Sequence, residues 1–187
     1  MTAMTLRPRL VGERVVLRAP IASDVDDRLA LGRDPEIVKM FGGDPINIAP
    51  LTRQMAQNWV NDQIDLETAW IIEIAGRCVG DIRLHSINQI DARAVLGLGI
   101  LDPTLLGQGY GTEAITLLLQ HAFGALGLHR VSLRVIEFNS RAIAAYKKVG
   151  FKEEGRERQA ALVQGERYDD LIMGVLAHEF HSLEAQS

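Results

Sequence analysis

Leu106-Gly107-Gln108-Gly109-Tyr110-Gly111-Thr112-Glu113-Ala114 is the stretch on which the fold turns. It follows Ala92 to Leu101, which reads as a strand closed by Asp102-Pro103. It opens Gly111 to Leu126, where Ala114, Leu117, Leu118 and Ala122 recur at helical spacing. Three glycines at alternate positions let a backbone approach a ligand closely and adopt conformations that a Cβ forbids. A helix start adds unpaired N–H groups and the positive end of the helix dipole, which together suit a phosphate or pyrophosphate. A glycine-rich turn that only joins strand to helix accounts for the same residues, so this stretch alone leaves both readings open.

Two other phosphate loops fit less well. The P-loop needs Gly-Lys-Ser/Thr after four spacer residues, and the chain supplies none here. The dinucleotide fingerprint needs glycines at its first, third and sixth positions, and from Gly107 the sixth is Thr112. Asp102 to Leu106 also separate the strand from the glycines, where a dinucleotide fold turns almost at once. Glu137, after the next strand, mimics the ribose acid, so a nicotinamide-dependent oxidoreductase stays open as the weaker alternative.

Outward from the glycine turn, Arg14 to Arg18 reads as a first strand ended by Pro20. Ser23 or Asp24 reads as a helix cap, with Asp26 and Asp27 in the first turn where negative charge suits the dipole. Met55, Trp59, Val60 and Ile64 carry helical spacing through Thr52 to Ile64. Ala69 to Ala75 and Cys78 to His85 flank Gly76-Arg77 as a hairpin. Gly127 followed by Leu128 reads as a C-terminal glycine cap. Val131 to Ile136 is a further strand, Ser140 to Val149 a helix, and Arg156 to Gln164 and Tyr168 to Leu176 are closing strands. His178 to Ser187 reads as a frayed tail or short helix. The order predicts an α+β, mixed-sheet fold of one domain over residues 1–187.

The bulk properties agree with a globular chain. Of its 187 residues 47% are hydrophobic and 24% charged, and a chain this long buries roughly 70% of its unfolded surface without staples. Cys78 is the one cysteine, which excludes an internal disulfide and fits a reducing compartment. The net charge of −4 argues against a general nucleic-acid binder. The longest apolar run, Ala94 to Leu101, is eight residues, far short of the roughly 20 that span a bilayer. The start of the chain lacks the apolar segment of a signal peptide. A cytoplasmic protein with no membrane partner is the expectation.

Asn139-Ser140-Arg141-Ala142-Ile143-Ala144-Ala145-Tyr146-Lys147-Lys148-Val149-Gly150-Phe151 is the second informative stretch. Asn139 is placed to cap its helix, and Tyr146, seven residues on, lies on nearly the same side about 10 Å further along the axis. Combined with Gly-Gln-Gly-Tyr-Gly-Thr-Glu-Ala, the Asn-x-x-Ala-x-x-x-Tyr-x-x-x-Gly-Phe pattern resembles the GNAT superfamily of acyl-CoA N-acyltransferases. Gly165 to Gly174 resembles that family's final strand. Arg18-Ala19-Pro20 and Arg33-Asp34-Pro35-Glu36-Ile37 resemble its RimJ/RimL-like branch, which includes ribosomal-protein N-terminal acetyltransferases.

The resemblance implies a twisted, mostly antiparallel sheet flanked by helices and splayed between its fourth and fifth strands, here Ala94–Leu101 and Val131–Ile136. It implies acetyl-CoA as co-substrate, with the backbone of Gly99, Ile100 and Leu101 along the pantetheine arm. The pyrophosphate would rest on Gly107, Gln108, Gly109, Tyr110, Gly111 and Thr112. Asn139 would hold the arm near the thioester, and Tyr146 would protonate the leaving thiolate. The partner would be a small-molecule or peptide amine: a protein N-terminus, a polyamine or an amino-sugar. No metal and no nucleic acid are implied, and a homodimer is compatible with the reading.

The chain departs from the family's pattern at two positions. Leu106 stands where many members carry Arg or Gln, and Val95 stands near the usual glutamate base. The base is therefore unassigned, with His85, Glu137, Asp81 and a water chain as candidates. A non-catalytic acyl-CoA-binding module is the alternative that Val95 keeps open. Asp26, Asp27, Asp34, Asp62 and Asp65 would attract a cation, but read first as a solvated face.

Overall fold

The computed structural model describes residues 7–180. Its centre is one eight-stranded sheet in the order β1-β2-β3-β4-β5-β6-β8-β7. The strands are β1 (Leu10–Val11), β2 (Val16–Arg18), β3 (Ala69–Ile74), β4 (Arg77–Asn88), β5 (Arg93–Ile100), β6 (Arg130–Ile136), β7 (Lys152–Val163) and β8 (Glu166–Leu176). The helices are α1 (Asp24–Leu31), α2 (Pro35–Met40), α3 (Arg53–Asp65), α4 (Tyr110–Gly124) and α5 (Ser140–Lys148). Every neighbouring pair of strands is antiparallel except β5 and β6, which run parallel.

That parallel seam decides the architecture. It pairs only Arg93 with Arg130, Ala94 with Val131 and Val95 with Ser132, after which the strands part. Elsewhere neighbouring strands stay paired apart from local register shifts at Ile72/Glu73, His85/Asn88, Glu153/Gly155 and Glu157/Ala161, so this is where the sheet opens. The expected mixed fold, splayed between these two segments, is what the chain adopts.

α4 and α5 pack on one face of the sheet. Ile115, Leu118 and Leu119 of α4 are fully buried in the core with Leu84, Leu96, Leu133 and Met173. α1 and α3 close the opposite face through a smaller cluster around Val25, Ala56 and Val60. Asp34 caps α2 by accepting from the Ile37 amide at 3.0 Å, and Thr52 caps α3 by accepting from the Met55 amide at 3.2 Å.

Several expectations shift by a few residues. β1 was not anticipated, because two residues carry no periodicity. The hairpin turns on Ala75 and Gly76, both with positive φ (50° and 77°), one residue earlier than Gly76-Arg77. α4 begins at Tyr110 and ends at Gly124, and Gly127 (φ 63°) then lets the Leu128 amide reach the Ala122 carbonyl at 2.9 Å. Ser23 makes no side-chain cap, while Asp24 turns inward onto Arg18. Asp27 holds the Cys78 amide at 2.8 Å and Asp34 caps α2, so neither belongs to a solvated face. His178 lies in a closing turn, while 181–187 fall outside the described residues. No helix among the described residues is long and apolar enough to cross a membrane.

Candidate functional site

Parting of β5 from β6 leaves a cleft of about 1010 Å³ that passes through the sheet. It is lined by Gly99, Ile100, Leu101, Gly107, Gly109, Tyr110, Gly111, Thr112, Asn139 and Tyr146, so ten of the residues singled out from sequence converge there. Gln108 lies outside the lining. Its side chain folds back onto the Thr104 carbonyl, and its own carbonyl accepts from Arg14 at 3.1 Å. Glu137 is also outside, tied to Arg156 and to the Asp169 amide.

Backbone direction sorts the strand residues. Groups of successive residues in a strand point to alternate sides. The Ala92 carbonyl accepts from Arg130 and His129, toward β6, whereas the Leu101 amide donates to Val79, toward β4. The Gly99 carbonyl likewise faces β4, where a Cβ on Gly80 would stand only 1.9 Å from it. Gly99 and Leu101 thus spend their backbone groups on β4, and Ile100 with Leu98, beyond the last β5–β6 pair at Val95, present theirs to the cleft. Of the three strand residues expected along a bound arm, Ile100 alone has free backbone groups facing it.

Side chains alternate as well, which gives the cleft two halves. Leu98 and Ile100 point toward α4, within ordinary contact of a Cβ built on Gly111. On this side Gly107 (φ 75°) and Gly109 (φ 89°) turn the chain into α4, and Gly109 sits at the N-cap in the left-handed conformation with no side-chain cap. The first intrahelical bond joins the Glu113 amide to the Gly109 carbonyl at 3.0 Å. The amides of Tyr110, Gly111 and Thr112 therefore have no helical acceptor, which makes this end an anion cradle.

Glu113, unnoticed in the sequence as a structural residue, anchors the cradle. Its carboxylate accepts from the Arg14 and Val15 amides at 2.7 and 3.0 Å and from Arg14 Nε at 3.2 Å. Arg14 also lies 4.6 Å over the Tyr110 ring. The only signal in the sequence was an acidic residue in the first helical turn.

Asn139 accepts from the Ala142 amide at 3.2 Å, as its cap position predicts. Tyr146 is 6% exposed, its ring edge-on to Phe151 at 5.7 Å. Its hydroxyl makes no hydrogen bond to any described residue, and burial pushes its pKa up to about 12.

The other half faces α2 and carries Asp81, Arg83 and His85 of β4, paired across the ladder with Gly99, Gly97 and Val95 of β5. Phe41, just after α2, lies over Gly99. Asp81 is buried and pairs with Arg83 at 2.6 Å; burial raises its pKa and the guanidinium opposes that rise. The pKa of His85 is lowered from 6.5 by burial and then by Arg83, both of which favour the neutral ring. Nδ1 of His85 stands 3.2 Å from Ser86 Oγ. On the far wall Arg134 of β6 pairs with Asp170 of β8 at 2.9 Å and with Glu157 of β7. Of the three base candidates, only His85 faces the cleft without an ion-pair partner.

Among the described residues no group of His, Cys, Asp and Glu is placed to hold a metal ion. The cleft instead offers a donor-rich turn on one side, a narrow gap through the sheet, and a mixed-charge chamber on the other.

Known proteins share this plan. The sequence pattern of the acetyltransferase (GNAT) domain matches residues 14–152. The spermidine N(1)-acetyltransferase of Escherichia coli K12 is 29% identical over 114 residues, which cover 61% of this chain and 61% of that protein. The uncharacterized N-acetyltransferase p20 of Bacillus licheniformis is 27% identical over 176 residues, covering 91% and 97%. Among solved structures, a GCN5-related N-acetyltransferase from Brucella melitensis superposes with a TM-score of 0.77 at 22% identity, over 92% of this chain and 80% of that one. The spermidine N-acetyltransferase of Vibrio cholerae, solved with CoA and spermine, gives 0.73 at 24% identity over 90% and 98%. At those identities the structural likeness speaks for the fold, while the sequence pattern, running through both the glycine turn and the Asn139–Tyr146 helix, speaks for descent. The chain belongs to the GNAT acetyltransferase family.

Proposed function

We propose that this chain is an acetyl-CoA-dependent N-acetyltransferase, RimJ/RimL-like in kind, that acts on a primary amine. The observation that carries the reading is the gap between β5 and β6, with the uncapped amides of α4 at one mouth. In this reading the amides of Tyr110, Gly111 and Thr112 hold the pyrophosphate. Ile100 and Leu98 pair with the pantetheine amides as an edge strand pairs with a peptide. Asn139 and Tyr146 meet the arm's sulfur end from α5.

Acetyl-CoA supplies the activated acyl group. The neutral amine attacks the thioester carbonyl, a C–N bond forms and the C–S bond breaks. Backbone N–H groups of the splayed strand meet the developing oxyanion. Tyr146 gives its proton to the leaving sulfur. Burial raises its pKa, but the same apolar surroundings destabilise a thiolate, so donor and acceptor shift together. His85, across the ladder from Val95, takes the surplus proton from the amine nitrogen, directly or through water.

The absence of a glutamate at Val95 favours a second reading, an acyl-CoA-binding module without turnover. A thiol-reactive assay of CoA release across N-terminal peptides, polyamines, aminoglycosides and amino acids separates them. Amine-dependent release supports the enzyme. Tight acetyl-CoA binding with no release for any amine supports the module.

A further inference from the structure

Charge in the acceptor half of the cleft does not suit a polycation. Among the described residues only two carboxylates line the cleft, Asp81 and Asp170, and each is already paired with an arginine that lines it too. The cations on the lining are Arg83, Arg134, Arg141 and Lys148; Arg134 pairs also with Glu157 and Arg141 with Glu36, and Lys148 stands at the end of α5, on the α4 side. Of the carboxylate oxygens there, Asp170 Oδ1 is left without a partner among the described residues, and the further ammonium groups of a polyamine would meet guanidinium groups instead.

Arg83 is built to meet an anion. Asp81, buried beneath it, takes one N–H at 2.6 Å and orients the guanidinium. A guanidinium has five donors, so the rest remain. Opposite stands Gly97, whose missing side chain lets the guanidinium lie flat across β5 toward the gap; a Cβ there would stand 3.2 Å from Arg83 Cζ. The Arg83 side chain keeps 38% of its surface exposed. It sits on the face opposite the glycine turn, away from where phosphates would bind, and one pleat from His85.

We infer that the acceptor is a small primary amine that also carries an anionic group, a carboxylate or a phosphate, and that Arg83 recognises that group. The inference rests on the acetyltransferase reading of the same cleft. Planar bidentate recognition by arginine fixes such a group in orientation as well as place, and so aims the amine at the thioester.

The test is CoA release with four acceptors: an α-amino acid, an aminoalkyl phosphate, an uncharged-tail amine and spermidine. The first two distinguish carboxylate from phosphate. Wild type is expected to prefer one anionic amine over spermidine by at least about tenfold in kcat/KM. Arg83→Gln is expected to raise the KM for that amine by about 10–100-fold, the span of a lost charged hydrogen-bonded pair. Arg83→Lys, which keeps Asp81 paired but loses the planar fork, should fall between. The acetyl-CoA Kd, which also reports folding, should hold in both variants, and the KM for the uncharged-tail amine should rise far less than that for the anionic amine. Preference for spermidine overturns the inference and leaves the acetyltransferase reading standing, as does an equal loss on charged and uncharged amines. No release with any amine overturns both.

Discussion

Replacing Tyr146 with Phe removes one hydroxyl from a site where the structure separates its structural from its chemical role. The ring is 6% exposed and packs on Phe151, and Phe preserves that packing. The hydroxyl has no partner among the described residues, so its loss strands no donor or acceptor there. Stability at neutral pH should therefore change by less than about 1 kcal/mol. General-acid help is typically worth about 10²–10⁴-fold, so the chemical step should slow on that scale, or about 3–5 kcal/mol in the barrier. Single-turnover quench measurements read that step free of product release. The acetyl-CoA Kd should hold within about threefold, less than the tenfold that 1.4 kcal/mol would bring. Alkaline unfolding gives an independent check. The Tyr146 pKa stands near 12 in the folded chain against 10 ordinarily. The unfolded chain thus loses this proton first, and stability falls as pH rises from 10 to 12. Two units at 1.36 kcal/mol each set the loss at no more than about 3 kcal/mol, and Tyr146→Phe should lack it. An unchanged single-turnover rate would make Tyr146 a packing residue and leave the thiolate to water.

Two further outcomes follow from the same geometry. Glu113→Ala strands the Arg14 and Val15 amides; losing two charge-assisted hydrogen bonds should cost about 3 kcal/mol or more. For a chain of this length that is a Tm lower by roughly 6–12 °C in calorimetry, and a drop under about 2 °C would refute the tether. If His85 takes the proton, log kcat/KM should bend at a pKa below the ordinary 6.5, because burial and Arg83 both lower it. His85→Ala should erase the bend, and a bend that survives the substitution would exclude the imidazole.

What could be read from sequence was the chemistry carried by near neighbours. Gly107 and Gly109 open α4 with positive φ as their spacing predicts, and Asn139 caps α5 three residues from the amide it bonds. What could not be read depends on register between distant segments. That Ile100, and not Gly99 or Leu101, turns its backbone groups to the cleft follows from which residues β4 engages, as the Leu101 amide does by donating to Val79. Arg83 looked like an ordinary strand arginine until the ladder set it beside Gly97 and above Asp81. Glu113 reaches Arg14 across 99 positions, a contact that no local pattern announces. The hairpin slipped by one residue because Ala75 adopts a positive φ that a sequence reading assigns first to glycine.

The most direct test of the central claim, that this cleft holds acetyl-CoA with its pyrophosphate on the glycine turn, is calorimetric titration of acetyl-CoA into wild type and Gly109→Val. At φ 89° a β-branched residue is strained, and its Cβ would stand 3.2 Å from Arg14 Nη2. A left-handed conformation costs an ordinary residue roughly 1–2 kcal/mol, and a β-branched one more. With the turn displaced and the amides misaimed, affinity should fall by at least about tenfold, while CD and Tm show the rest of the fold intact. Saturable binding to wild type that weakens in this way is the predicted result. Equal affinity in the two proteins, or no binding to wild type, would contradict it.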